Sequence, residues 1–513
     1  MNDKENSVVA VDSGKLEGTH ENGKYVFRGV PYASPPVGPL RWMPPQPVEP
    51  WQGVRPAKEY GSIPPQNEMP GGIIVKTPQV QDEDCLYLNI WTPGLDDAKR
   101  PVMVWIHGGA FTMGSGTEDN TRDSNLVSRG DIVLVTINYR LGMLGFLNLK
   151  EVTGGKIPAT GNEGLLDQIA ALKWVKENIA AFGGDPDNVT AFGESAGGMS
   201  IGCLMAMPAA KGSFDKGILE SGVGSTAGPL DEAVNTAQNT LKAAGIKGED
   251  ADALRGLSVK QLLDIEMKLR TDMAYTGEAV RITATAPVID FDVLPGIPTE
   301  VARGGSAKDI PTIIGTNLEE WKLFGAMQPG IDKLDEAQVF ERLKVYLPEE
   351  GVRELIKTYT ETRQKRGEPV NPWELLSAIQ TDLMFHIPVL ELVEAQRDNR
   401  QKVYNYLFTW KSPAMGGFLG ACHGLEIGFV FGMLEKLFHG TGPDAVKLSL
   451  TIQDAWLAFA KTGNPSCDSV GDWPVYGNNR ATMMLGNPCR VQEMAYEEER
   501  SVWDRVQRKR VMP

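Results

Sequence analysis

Short, nearly continuous apolar runs alternate along the chain with longer stretches whose apolar residues follow helical spacing. Residues 102–106 and 132–137 are two such runs, and unbroken apolar runs are typical of strands buried on both faces of a parallel sheet. Residues 165–179 carry apolar side chains at helical spacing. Strands that alternate with amphipathic helices predict an α/β fold with a large, mostly parallel central sheet flanked by helices.

The pattern becomes mainly helical from about residue 229 to residue 394. Within this region, Ser258 and Gln261 stand at capping-box spacing and predict the start of a helix. Residues 311–315 form an apolar run and predict one strand that interrupts the helices. The region is therefore interpreted as a helical insertion.

The two ends of the chain carry the remaining strand and helix signals. Residues 8–18 alternate weakly and predict an edge hairpin. Residues 403–408 predict a strand, and residues 448–461 predict a closing helix. The 513 residues contain no Gly/Ser tract, charge block or internal repeat that would mark a linker. We expect a single catalytic domain over residues 1–513, with the helical insertion at 229–394 lying over the active site.

The pentapeptide GESAG at residues 193–197 follows a short apolar run at residues 188–192. Strand, sharp turn and helix in this order form a nucleophile elbow, in which a strained backbone lifts the serine hydroxyl clear of the sheet. Gly193 and Gly197 fit this interpretation because a Cβ at either position would obstruct the close approach of strand and helix. Ser195 is therefore the candidate nucleophile.

An acyl-transfer serine needs an oxyanion hole, and the sequence HGGAF at residues 107–111 follows the first apolar run directly. Small residues at this place allow backbone N–H groups to approach a substrate oxygen. We assign the hole to the N–H groups of Gly109, Ala110 and Ala196. The alternative is a tight turn at a strand end.

The candidate base follows by elimination among five histidines. His20 and His107 precede the serine, whereas in elbow-type hydrolases the order is serine, acid, histidine. His386 lies in a helical apolar pattern that indicates a packing role, and His439 lies near an expected helix end that indicates a surface role. His423 lies on a glycine-flanked loop after the strand at residues 403–408, and it is the candidate base.

The acid that orients the base is expected after a strand and before His423. Glu319 and Glu320 both follow the strand predicted at residues 311–315. The residues alone do not separate these two neighbours, and other carboxylates remain open.

Charge and cysteine content limit the classes of function. The formal net charge is −15, which argues against nucleic acid as a partner because a basic face supplies most of that affinity. No apolar run approaches the roughly 20 residues of a membrane span, and the first residues lack the apolar segment of a signal peptide. The five cysteines contain no C-x-x-C pair, so we expect reduced, buried thiols, no metal site and a cytoplasmic location.

With these motifs in place, the chain resembles the type-B carboxylesterases, which are cholinesterase-related α/β-hydrolases, and within them the bacterial p-nitrobenzyl esterases. The resemblance extends from near Val8 to the final turn of the chain. It is carried by residues 27–33 (FRGVPYA), 83–91 (EDCLYLNIW), 107–111 (HGGAF), 138–140 (NYR), 161–162 (GN), 182–198, 315–320 (GTNLEE) and 423–427 (HGLEI).

The resemblance implies an α/β-hydrolase fold and a serine carboxylesterase that needs no cofactor. The expected substrates are small-molecule esters with small to medium, largely apolar acyl and alcohol groups, hydrolysed through an acyl-enzyme. The family pattern puts the acid at Glu320 and matches Ser221 to a serine that supports the triad. The alternatives are a lipase, a thioesterase or an amidase, or a non-catalytic interaction protein of the same fold.

Two departures from the family are visible. Secreted relatives pair the cysteine that Cys85 matches with an earlier cysteine, and this chain has none earlier, which favours a reducing compartment. The candidate rim loop at residues 61–81 lacks the tryptophan with which cholinesterases bind choline, so a quaternary-ammonium site is not expected.

Four apolar side chains flank the catalytic positions and either line an apolar acyl or alcohol pocket or belong to the core. These are Phe111, Met113, Met199 and Trp321. We expect no membrane partner, and a monomer or a small homo-oligomer.

Overall fold

The computed structural model describes residues 7–67, 79–119, 124–247, 250–276, 285–399 and 401–508. The strands in these residues are, in chain order, β1 (Val8–Val11), β2 (Gly14–Glu17), β3 (Thr19–Glu21), β4 (Lys24–Pro31), β5 (Val54–Pro56), β6 (Tyr87–Thr92), β7 (Arg100–Ile106), β8 (Val133–Ile137), β9 (Gly184–Glu194), β10 (Lys216–Glu220), β11 (Gly228–Pro229), β12 (Val288–Ile289), β13 (Thr312–Asn317), β14 (Val403–Phe408), β15 (Thr482–Leu485) and β16 (Arg490–Gln492).

Eleven of these strands form the central sheet in the order β16-β15-β14-β13-β10-β9-β7-β8-β6-β4-β3. All neighbours from β15 to β8 pair in parallel, and the pairs outside that block are antiparallel. β1 and β2 form the expected antiparallel edge hairpin, in a separate small sheet with β5. The mostly parallel central sheet predicted from the apolar runs is confirmed.

Helices cover the sheet and make up most of residues 229–394. They are α1 (Leu126–Gly130), α2 (Gly142–Phe146), α3 (Glu163–Asn178), α4 (Ala196–Ala206), α5 (Leu230–Ala244), α6 (Ala251–Arg255), α7 (Val259–Thr276), α8 (Pro298–Arg303), α9 (Trp321–Ala326), α10 (Glu336–Lys344), α11 (Glu349–Arg366), α12 (Pro372–Thr381), α13 (Ile387–Asp398), α14 (Ile427–Phe431), α15 (Pro443–Thr462) and α16 (Glu497–Arg500). A π-helical turn, Asp382–His386, joins α12 to α13.

Local signals in the sequence correspond to these boundaries. α3 leads through a 3-10 turn to Gly183, whose φ of 75° is the left-handed conformation that favours glycine. At the start of α7, the backbone N–H of Ser258 donates to Gln261 Oε1 and the N–H of Gln261 donates to Ser258 Oγ. This reciprocal pair is the predicted capping box. α15 begins at Pro443, one turn before the predicted start.

The central strands are buried on both faces, as their unbroken apolar runs predict. Along β7, Val102, Val104 and Ile106 belong to one buried cluster, and Met103 and Trp105 belong to the cluster on the other side. Side chains of a strand alternate between the faces of its sheet, so the two clusters lie on opposite faces. Packed apolar side chains therefore cover both faces of the sheet at β7.

The continuous helix of residues 372–398 is the only one in the described ranges that is long and apolar enough to cross a membrane by length and composition. Its most apolar window has a mean hydropathy of 1.2, and 83% of that window is buried inside the fold. A core helix has these properties too, and the burial identifies this one as part of the core.

Two expectations about burial are corrected. His439, expected at the surface, is buried because its ring packs against Gly428 and Phe429 and its Nδ1 accepts a hydrogen bond from the Glu435 N–H. All five cysteines are free thiols, but only three are buried. Cys467 and Cys489 are half-buried.

Candidate active site

The candidate residues converge at one edge of the sheet because they all follow parallel strands. Strand register places Ile106 of β7 beside Gly193 of β9, and Glu194 beside Glu220 of β10. Glu220 in turn lies beside Gly315 of β13. The loops that begin at the carboxyl ends of adjacent parallel strands share one edge, where open α/β sheets bind their ligands.

Ser195 occupies a sharp turn between β9 and α4. Its φ of 53° and ψ of −123° are strained for a residue with a side chain, and its N–H donates to the Glu220 carbonyl at 2.8 Å. An added Cβ at Gly193 would lie 2.5 Å from the Ile106 carbonyl oxygen, and one at Gly197 only 1.9 Å from it. The glycines therefore allow the turn to pack against β7, as the sequence predicts.

The loop after β7 turns back beside this elbow. Gly109, Ala110 and Phe111 all have positive φ, at 102°, 53° and 60°. A Cβ on Gly108 would lie 3.3 Å from the Cβ of Ser195, so the loop passes directly over the serine. Gly109, the first of the predicted oxyanion-hole residues, directly follows the residue that approaches Ser195.

His423 contacts a carboxylate through one ring nitrogen. Its Nδ1 lies 2.7 Å from Oε2 of Glu320, which is completely buried. Glu320 Oε1 accepts hydrogen bonds from the Asn317 N–H at 2.7 Å and from the Ser221 hydroxyl at 2.5 Å. Three donors therefore hold this carboxylate in one orientation, and Ser221 contacts the acid as the family resemblance implies.

Glu319 points the other way, although it is the adjacent residue. Its carboxylate pairs with Lys322 at 2.8 Å and with Lys411 at 3.8 Å, and it accepts from the Ala421 N–H. Burial opposes ionisation, but the two lysines hold the pKa of Glu319 below its usual value. Of the two neighbours that the residues alone left open, the one at the imidazole is Glu320.

The other ring nitrogen of His423 faces the elbow. Nε2 lies 3.1 Å from Oε1 of Glu194, the residue before Ser195, although the pair lacks the alignment of a hydrogen bond. Within the described residues no hydrogen bond joins the Ser195 hydroxyl to Nε2. The fold thus brings the imidazole to the elbow, where Nε2 lies beside the Glu194 carboxyl.

Four buried carboxyls lie near His423 and the elbow, and we call them the inner carboxyl cluster: Glu194, Glu220, Glu320 and Glu426. Burial raises the pKa of Glu220 to about 7, although its Oε1 accepts from Trp456 Nε1 at 2.8 Å. Burial and the neighbouring carboxyls raise the pKa values of Glu194 and Glu426 well above the usual range. Sequence reasoning did not single out Glu194 or Glu426, although both lie within the motifs it used.

Aromatic rings flank the imidazole of His423. Its centroid lies 5.1 Å from the ring of Phe324 and 4.9 Å from the ring of Phe385. Phe324 follows Glu320 by one turn of α9, and Phe385 lies on the π-helical turn. These two residues were also missed; the position of Phe324 one helical turn after the acid is the signal that could have indicated it.

The four predicted pocket residues differ in burial. Phe111 and Met199 are buried in the core, where Phe111 meets Phe146 edge to face at 5.0 Å. Met113 is partly buried, and Trp321 is buried beside Phe324. Their part in substrate binding stays a prediction.

The remaining histidines have other surroundings. His386 Nδ1 lies 3.0 Å from the Thr316 hydroxyl, and burial lowers its pKa to about 4, as it does for His439. His107 stacks on Tyr139 with centroids 4.4 Å apart. Burial therefore keeps His386 and His439 neutral within the core.

The candidate rim loop is described only at its ends, because residues 68–78 lie outside the described residues. Gln66 exchanges two hydrogen bonds with Gly114, and Gln79 Nε2 donates to the Thr117 carbonyl at 3.0 Å. Both ends are thus attached to the segment that follows the HGGAF loop. Among the described side chains, no group of three His, Cys, Asp or Glu residues could hold a metal ion.

Comparison with known proteins gives one consistent family. A model of the carboxylesterase family matches residues 5–503. The chain is similar to the para-nitrobenzyl esterase of Bacillus subtilis (strain 168), with 40% identity over 96% of this chain and 97% of that protein. It is also similar to the phenmedipham hydrolase of Pseudarthrobacter oxydans, with 35% identity over 94% and 95%. Among solved structures, the carboxylesterase EST55 of Geobacillus stearothermophilus has a TM-score of 0.85 at 37% identity, over 97% of this chain and 100% of that one.

Proposed function

The chain belongs to the carboxylesterase family and is a carboxylic ester hydrolase, and we propose that Ser195, His423 and Glu320 carry out its catalysis. The observation that supports this assignment most directly is the 2.7 Å contact between His423 Nδ1 and a fully buried Glu320. A carboxylate at Nδ1 fixes the tautomer that leaves Nε2 free to accept a proton, and Nε2 faces the elbow.

In the acylation step, Ser195 Oγ attacks the ester carbonyl while its proton moves to His423 Nε2. Glu320 stabilises the imidazolium that forms and keeps its own charge. The transfer requires the hydroxyl and Nε2 to come within about 3 Å, and such contacts are often long in enzymes without substrate. We propose that substrate binding brings Ser195 Oγ into this contact.

The oxyanion of the tetrahedral intermediate is proposed to accept hydrogen bonds from the N–H groups of Gly109, Ala110 and Ala196. The positive φ angles of Gly109 and Ala110 and the closeness of Gly108 to Ser195 support this assignment. Each such donor contributes about 3 kcal/mol to transition-state binding. The imidazolium then protonates the leaving alcohol, and water resolves the acyl-enzyme by the same route in reverse.

The proposed substrates are esters with small to medium, largely apolar acyl and alcohol groups. The rings of Phe324 and Phe385 beside His423 support an apolar or aromatic group next to the reacting bond. One similar protein is a para-nitrobenzyl esterase, and the benzyl group in that name is aromatic. Phe111, Met113, Met199 and Trp321 are proposed to contribute further pocket walls.

We also propose that residues 1–513 act as one catalytic domain, with the insertion at 229–394 covering the site. The free thiols support a cytoplasmic location in a bacterium, and we propose a monomer or a small homo-oligomer. Cell fractionation and sedimentation velocity test these two statements.

Replacement of the nucleophile tests the assignment. We expect Ser195→Ala to reduce p-nitrophenyl butyrate hydrolysis by roughly 10⁴-fold or more, without a change in the circular dichroism spectrum, and to abolish labelling by a fluorophosphonate. Ser200 is the matched control, because it lies one turn further along α4 and its hydroxyl donates to the Ala196 carbonyl. Ser200→Ala should still be labelled, and labelled Ser195→Ala protein would refute the assignment.

A further inference from the structure

The proposed mechanism does not use the carboxyl that stands closest to His423 Nε2. We propose that Glu194 is a positioning residue that holds the His423 imidazole as a neutral carboxylic acid, and that its burial among neighbouring carboxyls keeps it neutral. This inference rests on His423 being the base of the proposed function. It concerns the charge on the elbow residue before the nucleophile, which neither the motif nor the triad specifies.

The first support is the position of the carboxyl. Glu194 Oε1 is 3.1 Å from His423 Nε2, and the group lies in a narrow slot between two backbone segments. A Cβ added to Gly108 would lie 3.0 Å from Oε2, and one added to Gly424 would lie 3.7 Å from Oε1. The glycine at position 108 therefore gives the carboxyl room beside the ring, whereas the Gly424 side is at ordinary van der Waals distance.

The second support is the set of charged groups around Glu194. Besides the His423 imidazole, the titratable groups that act on Glu194 are four carboxyls and one phenol: Glu220 from β10, Glu320 after β13, Glu426 before α14, Glu118 after β7 and Tyr406 on β14. Register pairs Glu194 directly with Glu220 on adjacent strands, and paired residues of a sheet point to the same face. Buried carboxyls this close cannot all be ionised.

The third support is the difference between Glu194 and Glu320 in hydrogen bonding. Glu320 accepts from the Asn317 N–H, the Ser221 hydroxyl and the His423 ring, so both of its oxygens have donors. Glu194 Oε1 has no hydrogen bond of good geometry. Two carboxyls on the two sides of one imidazole thus have environments that separate their charge states, and the proton belongs on Glu194.

A neutral Glu194 has a consequence for the reaction. A carboxylate 3.1 Å from Nε2 would hold a proton on that nitrogen and remove the base before substrate arrives. A neutral carboxylic acid occupies the same place without the negative charge, so it does not favour a proton on Nε2. The Ser195 proton then moves to Nε2 during acylation, and Glu194 keeps its own proton throughout.

Two substitutions at this position separate charge from placement. Glu194→Gln keeps the shape and the neutral charge, so we expect kcat to fall by less than about 10-fold and the acid limb of the kcat/KM–pH profile to keep its midpoint. Glu194→Ala leaves the ring unsupported, so kcat should fall by about 10²-fold with the same midpoint. A midpoint that moves down by one pH unit or more in Glu194→Gln would show a charged Glu194 and overturn the proposal, as would full activity in Glu194→Ala.

Infrared spectroscopy tests the proton without using activity. The wild-type protein at pH 7 should show the carbonyl stretch of a protonated carboxyl that Glu194→Gln lacks; an unchanged band would overturn the proposal. Glu220→Gln removes a neighbouring charge, and should therefore lower the pH at which this band is lost. If the band behaves as expected and Ser195→Ala still hydrolyses esters, the proposed function fails while the charge state stands.

Discussion

Glu319 and Glu320 are adjacent in sequence, but their side chains belong to two different clusters of titratable residues. Glu320 belongs to the inner carboxyl cluster, where carboxyls meet one another and a single imidazole. Glu319 belongs to what we call the outer ion-pair cluster, Glu319, Lys322, Glu374 and Lys411, where each carboxylate meets a lysine. Glu319 is thus a structural residue, whereas its neighbour Glu320 is the candidate catalytic residue.

The neighbours decide the charge of each group. Lysines lower the pKa of Glu319 and keep it ionised, so the outer cluster is a set of compensated charges. Burial without cations raises the pKa values of Glu194, Glu220 and Glu426, which favours the protonated form of these three carboxyls. Raised pKa values of this kind are concentrated at functional sites, whereas a carboxylate paired with lysine contributes to stability.

The largest expected effect separates the two adjacent glutamates. Glu320→Gln should lower kcat by roughly 10³- to 10⁴-fold, because an amide at Nδ1 neither fixes the tautomer nor stabilises the imidazolium. Glu319→Gln should change kcat by less than about 10-fold and instead lower the free energy of unfolding by about 1–3 kcal/mol, because Lys322 is buried and loses a partner. Steady-state kinetics and urea unfolding of both variants measure the two effects. Equal losses of kcat would remove the distinction between the clusters.

The sequence predicts the parts of this site that depend on local pattern. The elbow around Ser195, the strands before it and the loop that bears His423 are each marked by residue types within a few positions. The orientations of Glu319 and Glu320 are not marked locally, because both follow the same strand and their distinguishing partners include distant residues: Lys411 and the Ala421 N–H for Glu319, and His423 and Ser221 for Glu320. His439 was misplaced because its short segment looks exposed, and the polar residues near it do not reveal that the chain folds back so that the ring packs on Gly428 and Phe429 of α14.

The second effect concerns the pH dependence of stability. Folding raises the pKa of Glu220 from 4.5 to about 7, so its stabilising contribution is present below about pH 4.5 and is lost as the pH rises towards 7. Glu220→Gln has no such loss, and its Oε1 can still accept from Trp456. We therefore expect the free energy of unfolding of the variant, relative to that of the wild type, to increase by up to about 3 kcal/mol between pH 5 and pH 8.

Urea unfolding at the two pH values measures this gain. Glu319 supplies the control of opposite sign: folding lowers its pKa, so Glu319→Gln should lose stability relative to the wild type near neutral pH and regain it in acid. If the free energies of unfolding of the wild type and Glu220→Gln changed equally with pH, ionisation of Glu220 would cost no stability. The inner cluster would then not differ from the outer one.

The smallest effect belongs to the exposed edge of the outer cluster. The Lys411 side chain is 65% exposed and its Nζ is 3.8 Å from Glu319, so water and salt screen the pair. We expect Lys411→Ala to change the free energy of unfolding by no more than about 0.5 kcal/mol, and a double-mutant cycle with Glu319→Gln to give a coupling of a few tenths of a kcal/mol that fades in high salt. A coupling above about 1 kcal/mol would place Lys411 with the buried pairs and would make the outer cluster extend to the surface.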